Sequence, residues 1–289
     1  MKIIDPHLHL FNIEQGEYHW LKPENPPLWP DKKLINQSFS EDDLQLNNEL
    51  TLAGFVHIEA GFDNKQPWRE IAWLEENCQL PYKSIAGIDL SLNTSEFITS
   101  ILRIKNFSSV VGVRDILDEK SVDYLSNQQV VNNLRQLSDH QLIFELQMPL
   151  DNLHAVELLS TVLSVTPQLK VVINHAGWPP YQNDKTVSKD YNNWLKGLEI
   201  LGRHPKCSIK CSGFELTNRS YSKQWQMNVI TTCLEYFGTK RVMLASNFPL
   251  CLLAKSYQNY WQQYQQNVLF SESTLNNLLF INTKRIYQF

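Results

Sequence analysis

The chemistry of this chain begins with His7 and His9, two residues apart in KIIDPHLHLF and directly behind a short apolar run. Residues two apart on an extended strand project from one face, so both imidazoles would be presented side by side. Such a pair could ligate a metal, handle a proton, or sit as two hydrogen-bonded core histidines. Other apolar runs end in equally capable groups. FVHIEA carries His57 and Glu59, SIAGIDL carries Asp89, and VVGVRDI carries Arg114. FELQ carries Glu145 and Gln147, INHAG carries His175, CSIKCSG carries Lys210 and Ser212, and RVMLASNF ends at Asn247. Each has a bland reading when taken alone. Burying so many ionisable groups without pairing or water would be costly, and their convergence at one rim is the economical explanation. Arg114 and Lys210 could clamp a carboxylate or stabilise an oxyanion, and a histidine near neutrality can activate water. A serine or cysteine nucleophile is less supported. No G-x-S-x-G elbow occurs, and Cys211 falls on the opposite strand parity from Lys210.

The elements that must position these groups alternate regularly. Short β-branched runs are separated by stretches with apolar residues at i, i+3 and i+4, around Trp68–Asn77, Asn152–Val165 and Trp225–Phe237. Apolar strands alternating with amphipathic helices imply a parallel sheet covered by helices. Eight such strands fit a single α/β domain over residues 1–289, a (β/α)8 TIM barrel whose active site lies at the strand C-termini. An open doubly wound sheet is the rival, but neither G-x-G-x-x-G nor a Walker loop is present. GEYHWLKPENPPLWP, residues 16–30, is too proline-rich to continue a helix and is expected to form a lid. Its Tyr18 and Trp20, with Trp178 beyond the sixth run, are expected to grip a small substrate.

Composition sets the outer limits. The chain has 289 residues, 43% hydrophobic and 19% charged, which suffices for a large core. A formal charge of −4, with no concentration of Lys and Arg, argues against nucleic acid or an acidic membrane surface as partner. No apolar stretch reaches the roughly 18 residues of a membrane span, and Asp5, His7 and His9 interrupt the opening run. Five cysteines, an odd number, suit reduced thiols and a cytoplasmic location.

DPHLH, INHAG and the closing RVMLASNFPL together resemble the amidohydrolase superfamily. More narrowly, the chain is similar to a lactonase-rich branch that includes 2-pyrone-4,6-dicarboxylate lactonase and sugar-lactone hydrolases. VHIEAGFDNKQPWREIAWLE, VVGVRDIL and CSIKCSG fall in the expected order, from Ile3 to about Tyr257. The resemblance implies a distorted (β/α)8 barrel that hydrolyses an ester or lactone of a small acid. It makes His7 and His9 the first-strand pair, His175 the sixth-strand histidine, Arg114 a substrate-facing arginine and Asn247 the last-strand residue. Many relatives carry aspartate at that last site, as metal ligand or general base. Asparagine cannot take up a proton there. Metal-dependent members often carry a carboxylated lysine or a glutamate where Arg114 stands, and a fifth-strand histidine where Glu145 and Gln147 stand. His7, His9 and His175 could still hold zinc or another divalent metal, but the resemblance favours chemistry that requires no cofactor.

The expected function is therefore hydrolysis of a lactone or related ester of a small carboxylic or sugar acid. His7, His9, His175 and Asn247 are the catalytic candidates, with a histidine (His175 or His9) activating water. Tyr18, Trp20, His57, Glu59, Arg114, Glu145, Gln147, Trp178 and Lys210 are the substrate-binding candidates, with Glu59 or Glu145 orienting the basic histidine. Two other readings compete. One is a zinc-dependent amidohydrolase or decarboxylase, and the other is a non-catalytic barrel that binds small acids.

Overall fold

A computed structural model describes residues 1–47, 49–181, 188–265 and 269–289. Its strands are β1 (Lys2–Leu8), β2 (Thr51–Ile58), β3 (Tyr82–Gly87), β4 (Val110–Ile116), β5 (Ile143–Gln147), β6 (Val171–Ile173), β7 (Cys207–Cys211) and β8 (Val242–Leu244). They form one eight-stranded sheet in sequence order, β1 to β8, the topology of a (β/α)8 TIM barrel. The chain divides into two compact units. The first comprises Met1–Gly87, Phe107–Val111 and Met243–Phe289; the second comprises Ile88–Asn106 and Gly112–Val242. No helix among the described residues is long and apolar enough to cross a membrane.

In the first unit β1 pairs with β2 and β2 with β3, all parallel. Ile3, Ile4, Phe55, Val56, Ile58 and Ile85 are buried along these strands, as the apolar runs require. The predicted helix over Trp68–Asn77 forms with those bounds and buries Ile71, Trp73 and Leu74. Residues 16–30 are anchored to this unit. The Tyr18 ring packs against Phe11 and Phe62, and its hydroxyl accepts the Asn12 N–H at 2.9 Å. The buried Lys32 ammonium donates to the carbonyls of Lys22 and Asn25, replacing backbone partners that a proline-rich segment lacks.

In the second unit β4 pairs with β5, β5 with β6 and β6 with β7, again parallel. The helices expected around Asn152–Val165 and Trp225–Phe237 run over Leu153–Val165 and Lys223–Phe237. Their starts differ because capping residues set them: Asn152 accepts from the Ala155 N–H and Ser222 from the Trp225 N–H. β6 is only three residues long because the chain leaves extended geometry almost at once. His175, Ala176, Gly177 and Trp178 all have left-handed φ, at 53°, 51°, 68° and 58°. Left-handed conformation costs non-glycine residues energy, and here the surroundings enforce it. The buried Trp194 indole donates to the Ala176 carbonyl at 2.8 Å, and Leu150 N donates to the Gly177 carbonyl at 3.0 Å.

Candidate functional site

Each unit carries its own polar cluster at the strand C-termini. In the first unit His7 and His9 are buried with ring centroids 5.1 Å apart, nearly perpendicular. His9 Nδ1 lies 2.8 Å from the Ile58 carbonyl. A carbonyl only accepts, so Nδ1 carries the proton and the neutral ring keeps its lone pair at Nε2. His57 is arranged the opposite way. Its Nδ1 accepts the Leu10 N–H at 3.2 Å, so Nε2–H donates to Glu70 at 3.0 Å. Glu70 also accepts the Ala60 N–H, at 2.9 Å. Burial pushes the Glu70 carboxyl upward, while the bonds from His57 and Ala60 oppose that push.

The end of β1 is tied to the turn after β8. Asn247 N donates to the His7 carbonyl at 2.9 Å, and His9 N donates to the Phe248 carbonyl at 2.7 Å. Asn247 itself has φ of 60°, a conformation asparagine tolerates better than most residues. Beneath this junction the fully buried Asp5 accepts from His7 N, Ser246 N, Ser246 Oγ and Tyr257 Oη. Burial nevertheless raises Asp5 from 3.8 to about 6. A carboxyl whose folded pKa is raised contributes stability below its unfolded value, and that contribution is lost as pH rises through the folded one. Wild-type stability should therefore fall by up to about 3 kcal/mol between roughly pH 4 and 6 relative to Asp5→Asn. Paired urea melts across that range check this, and parallel pH profiles for the two proteins would refute it.

The second unit holds the charged cluster. Arg114 pairs with Glu145 in the β4–β5 register, Glu145 with Val172, and Val172 with Ser208. Lys210 lies two beyond Ser208 and so shares their face. Its Nζ donates to Glu145 Oε2 at 2.7 Å, with both side chains fully buried. Arg114 Nη1 donates to Gln147 Oε1 at 3.1 Å, and Gln147 Nε2 donates to Asp118 Oδ2 at 3.1 Å. His175 is buried, its Nδ1 3.1 Å from Ser212 Oγ and its ring 5.1 Å from that of Trp178. Gly213, at φ 68°, makes room for it: a Cβ there would lie 2.5 Å from His175 Nδ1. Burial, then the charges of Arg114 and Lys210, holds the His175 pKa well below its ordinary value. The same surroundings disfavour the imidazolium form.

Several expectations need correction. Tyr18 is a core residue, with its hydroxyl satisfied and only 2% of its surface exposed. Trp20 is half-buried and donates its indole N–H to the Ala60 carbonyl. His57 has both ring nitrogens engaged, so it acts as a brace. Glu145 pairs with Lys210, while Ile58, Glu70 and Ser212 hold the rings of His9, His57 and His175. Asp89 is exposed and closes a local turn on Ser91. Strand parity places Asn174, not His175, on the Glu145 face, and the left-handed turn is what redirects the histidine. Glu70 and Asp118 escaped sequence reasoning, the first because it lies on a helix and the second because it follows β4 by two residues.

Among the described residues no three His, Cys, Asp or Glu side chains converge as a metal site. Both nitrogens of His57 are committed, and His175 stands in the field of two cations.

An amidohydrolase family model matches residues 4–289. An L-rhamnono-gamma-lactonase from Scheffersomyces stipitis is 23% identical, over 99% of this chain and 98% of the relative. Two solved structures share the fold. An amidohydrolase from Burkholderia multivorans with bound zinc gives a TM-score of 0.80 at 15% identity, covering 100% of this chain and 99% of the other. A putative 2-pyrone-4,6-dicarboxylic acid hydrolase from Pseudomonas putida gives 0.72 at 17%, covering 99% and 97%.

Proposed function

The chain belongs to the amidohydrolase family, and on that premise we propose that it hydrolyses a lactone or related ester of a small carboxylic or sugar acid. The observation that carries this reading is the buried His175, with Ser212 Oγ 3.1 Å from its Nδ1 and the Arg114 charge acting on it. In the tautomer this role requires, Nδ1–H donates to Ser212 Oγ and Nε2 takes a proton from water. The water oxygen attacks the ring carbonyl, and Arg114 donates to the oxygen on which negative charge develops. Collapse of the tetrahedral intermediate breaks the ring C–O bond, and the proton on His175 passes to the departing alkoxide. A weak base suits this sequence because the negative charge that develops on the carbonyl oxygen offsets the nearby cations that hold the His175 pKa down.

Lys210 is largely balanced by Glu145 and serves to keep the floor of this cluster rigid. In the first unit His7, His9 and Asn247 remain catalytic candidates, with the Ile58 carbonyl fixing His9 through Nδ1. The reading assigns no step to a metal, since the donor set lacks three convergent ligands among the described residues. It is further supported by the lactonase similar over nearly the whole chain. A panel of sugar-acid and pyrone lactones, followed by acid release in a pH-stat, tests it. Turnover of at least one lactone at kcat near 1 s⁻¹ or above, the low end of the range about 1–10³ s⁻¹ common to enzymes, is expected. Inertness across the panel, with and without added zinc, would sink it.

A further inference from the structure

Asp118 is the carboxylate that the strand ends of the second unit hold in reserve. It follows β4 with φ of 21°, a strained value for a residue with a side chain. Gln147 Nε2 fixes its Oδ2, and Gln147 Oε1 in turn receives Arg114 Nη1. The Trp178 indole draws on the same carboxylate. Oδ1, by contrast, is buried and has no hydrogen-bond partner. The nearby Lys120 does not supply one, because its ammonium is committed to Asp115 and lies over the Tyr124 ring. Just past the end of β6, Asn174 is fully buried with neither side-chain amide atom bonded. An unfilled carboxylate oxygen and an amide with both its donor and its acceptor unfilled thus flank Gln147. Buried polar groups are normally satisfied, so this wall suits a hydroxyl, which donates to the carboxylate and can accept from the amide.

We propose that Asp118 is a specificity-determining residue that accepts a hydrogen bond from a hydroxyl group of an uncharged substrate ring and repels a carboxylate placed there. This deepens the lactone-hydrolase reading and rests on it. Arg114 only donates, so it fits a carbonyl or carboxylate oxygen; Asp118 Oδ1 only accepts when ionised, so it fits O–H. The pair reads opposite ends of a hydroxylated lactone. A second carboxylate at the Asp118 end would meet like charge at low dielectric.

Calorimetric binding of two non-hydrolysable probes tests this without turnover: a neutral polyhydroxylated δ-lactam and a benzene dicarboxylate. Wild-type protein should prefer the lactam. Asp118→Asn, which places a donor where an acceptor stood, should weaken the lactam roughly ten- to hundredfold and tighten the dicarboxylate. Gln147→Leu removes the group that orients Asp118 and should shift the lactam in the same direction, which covers the case where Asp118→Asn fails to fold. Equal lactam binding by wild type and a folded variant, wild-type preference for the dicarboxylate, or no binding of either probe would overturn the proposal. So would a loss in melting temperature with the probe preference unchanged. Lactam selectivity without turnover of any lactone would leave Asp118 in this role and reject the hydrolase reading instead.

Discussion

Replacing Lys210 with methionine should lower the stability of the protein by about 3–5 kcal/mol, the largest thermodynamic effect of any single side chain in the cluster. Lys210 Nζ and Glu145 Oε2 are 2.7 Å apart on the same face of β7 and β5, across the intervening β6, and neither side chain is reached by solvent. Removing the cation leaves a carboxylate in the interior without its compensating charge. The cost arises from that stranded anion more than from the net worth of the pair, because desolvation cancels much of the Coulomb attraction while both charges are present. The double variant Lys210→Met with Glu145→Leu should therefore recover most of the loss. Urea denaturation of the wild type, both single variants and the double variant measures the cycle. Additive single losses in the double variant would show that the pair does not share one desolvated environment.

The second large effect is on rate. His175→Ala should reduce kcat for the best lactone by about 10²–10⁴, the range for losing a positioned proton acceptor. Stability should change far less than for Lys210→Met, since removing an imidazole strands no buried partner charge. Gly213→Ala should approach the same loss without touching the imidazole itself. Its methyl would intrude to 2.5 Å from His175 Nδ1 at a φ of 68°, so either the ring or the turn must move. Ser212→Ala should reduce kcat more modestly while leaving KM near its wild-type value, because it orients the ring and does not hold substrate. Wild-type kcat in His175→Ala would remove the histidine from the mechanism and turn attention to His9 Nε2.

Much of this arrangement was legible in the sequence, for identifiable reasons. The strand–helix alternation is carried by hydrophobic periodicity, which depends on local geometry alone, and it yields the order β1 to β8 correctly. Arg114, Glu145 and Lys210 follow from simple alternation along regular strands, and the structure places them on one face. Alternation fails where the backbone stops being extended. His175 lies off the parity of Val172 and enters its cluster only through a left-handed turn, whose cause is the distant Trp194 and Leu150. No pattern local to INHAG contains that information.

Partners are harder to read than positions for a related reason. His57 is held by Glu70 from the Trp68–Asn77 helix and His9 Nδ1 by a main-chain carbonyl, and strand alternation shows neither. Tyr18 looked like a substrate-gripping aromatic because it lies in a proline-rich segment. Phe11 and Phe62, from segments before and well after it, draw the ring into the core of the first unit. Long-range packing decides between these alternatives, and single-sequence reasoning sees it only indirectly. Asn247 shows the opposite case. Its residue type suits a φ of 60°, so the departure from aspartate is at least compatible with the turn it occupies.

The most direct test of the account is the rate of lactone hydrolysis by chelator-treated wild-type protein and by Arg114→Met, with and without stoichiometric zinc. The metal-stripped wild type should turn over its best lactone undiminished, zinc should add nothing, and Arg114→Met should fall about 10²–10³-fold through loss of oxyanion stabilisation. Activity that appears only with zinc, or an Arg114→Met variant as fast as wild type, would contradict it.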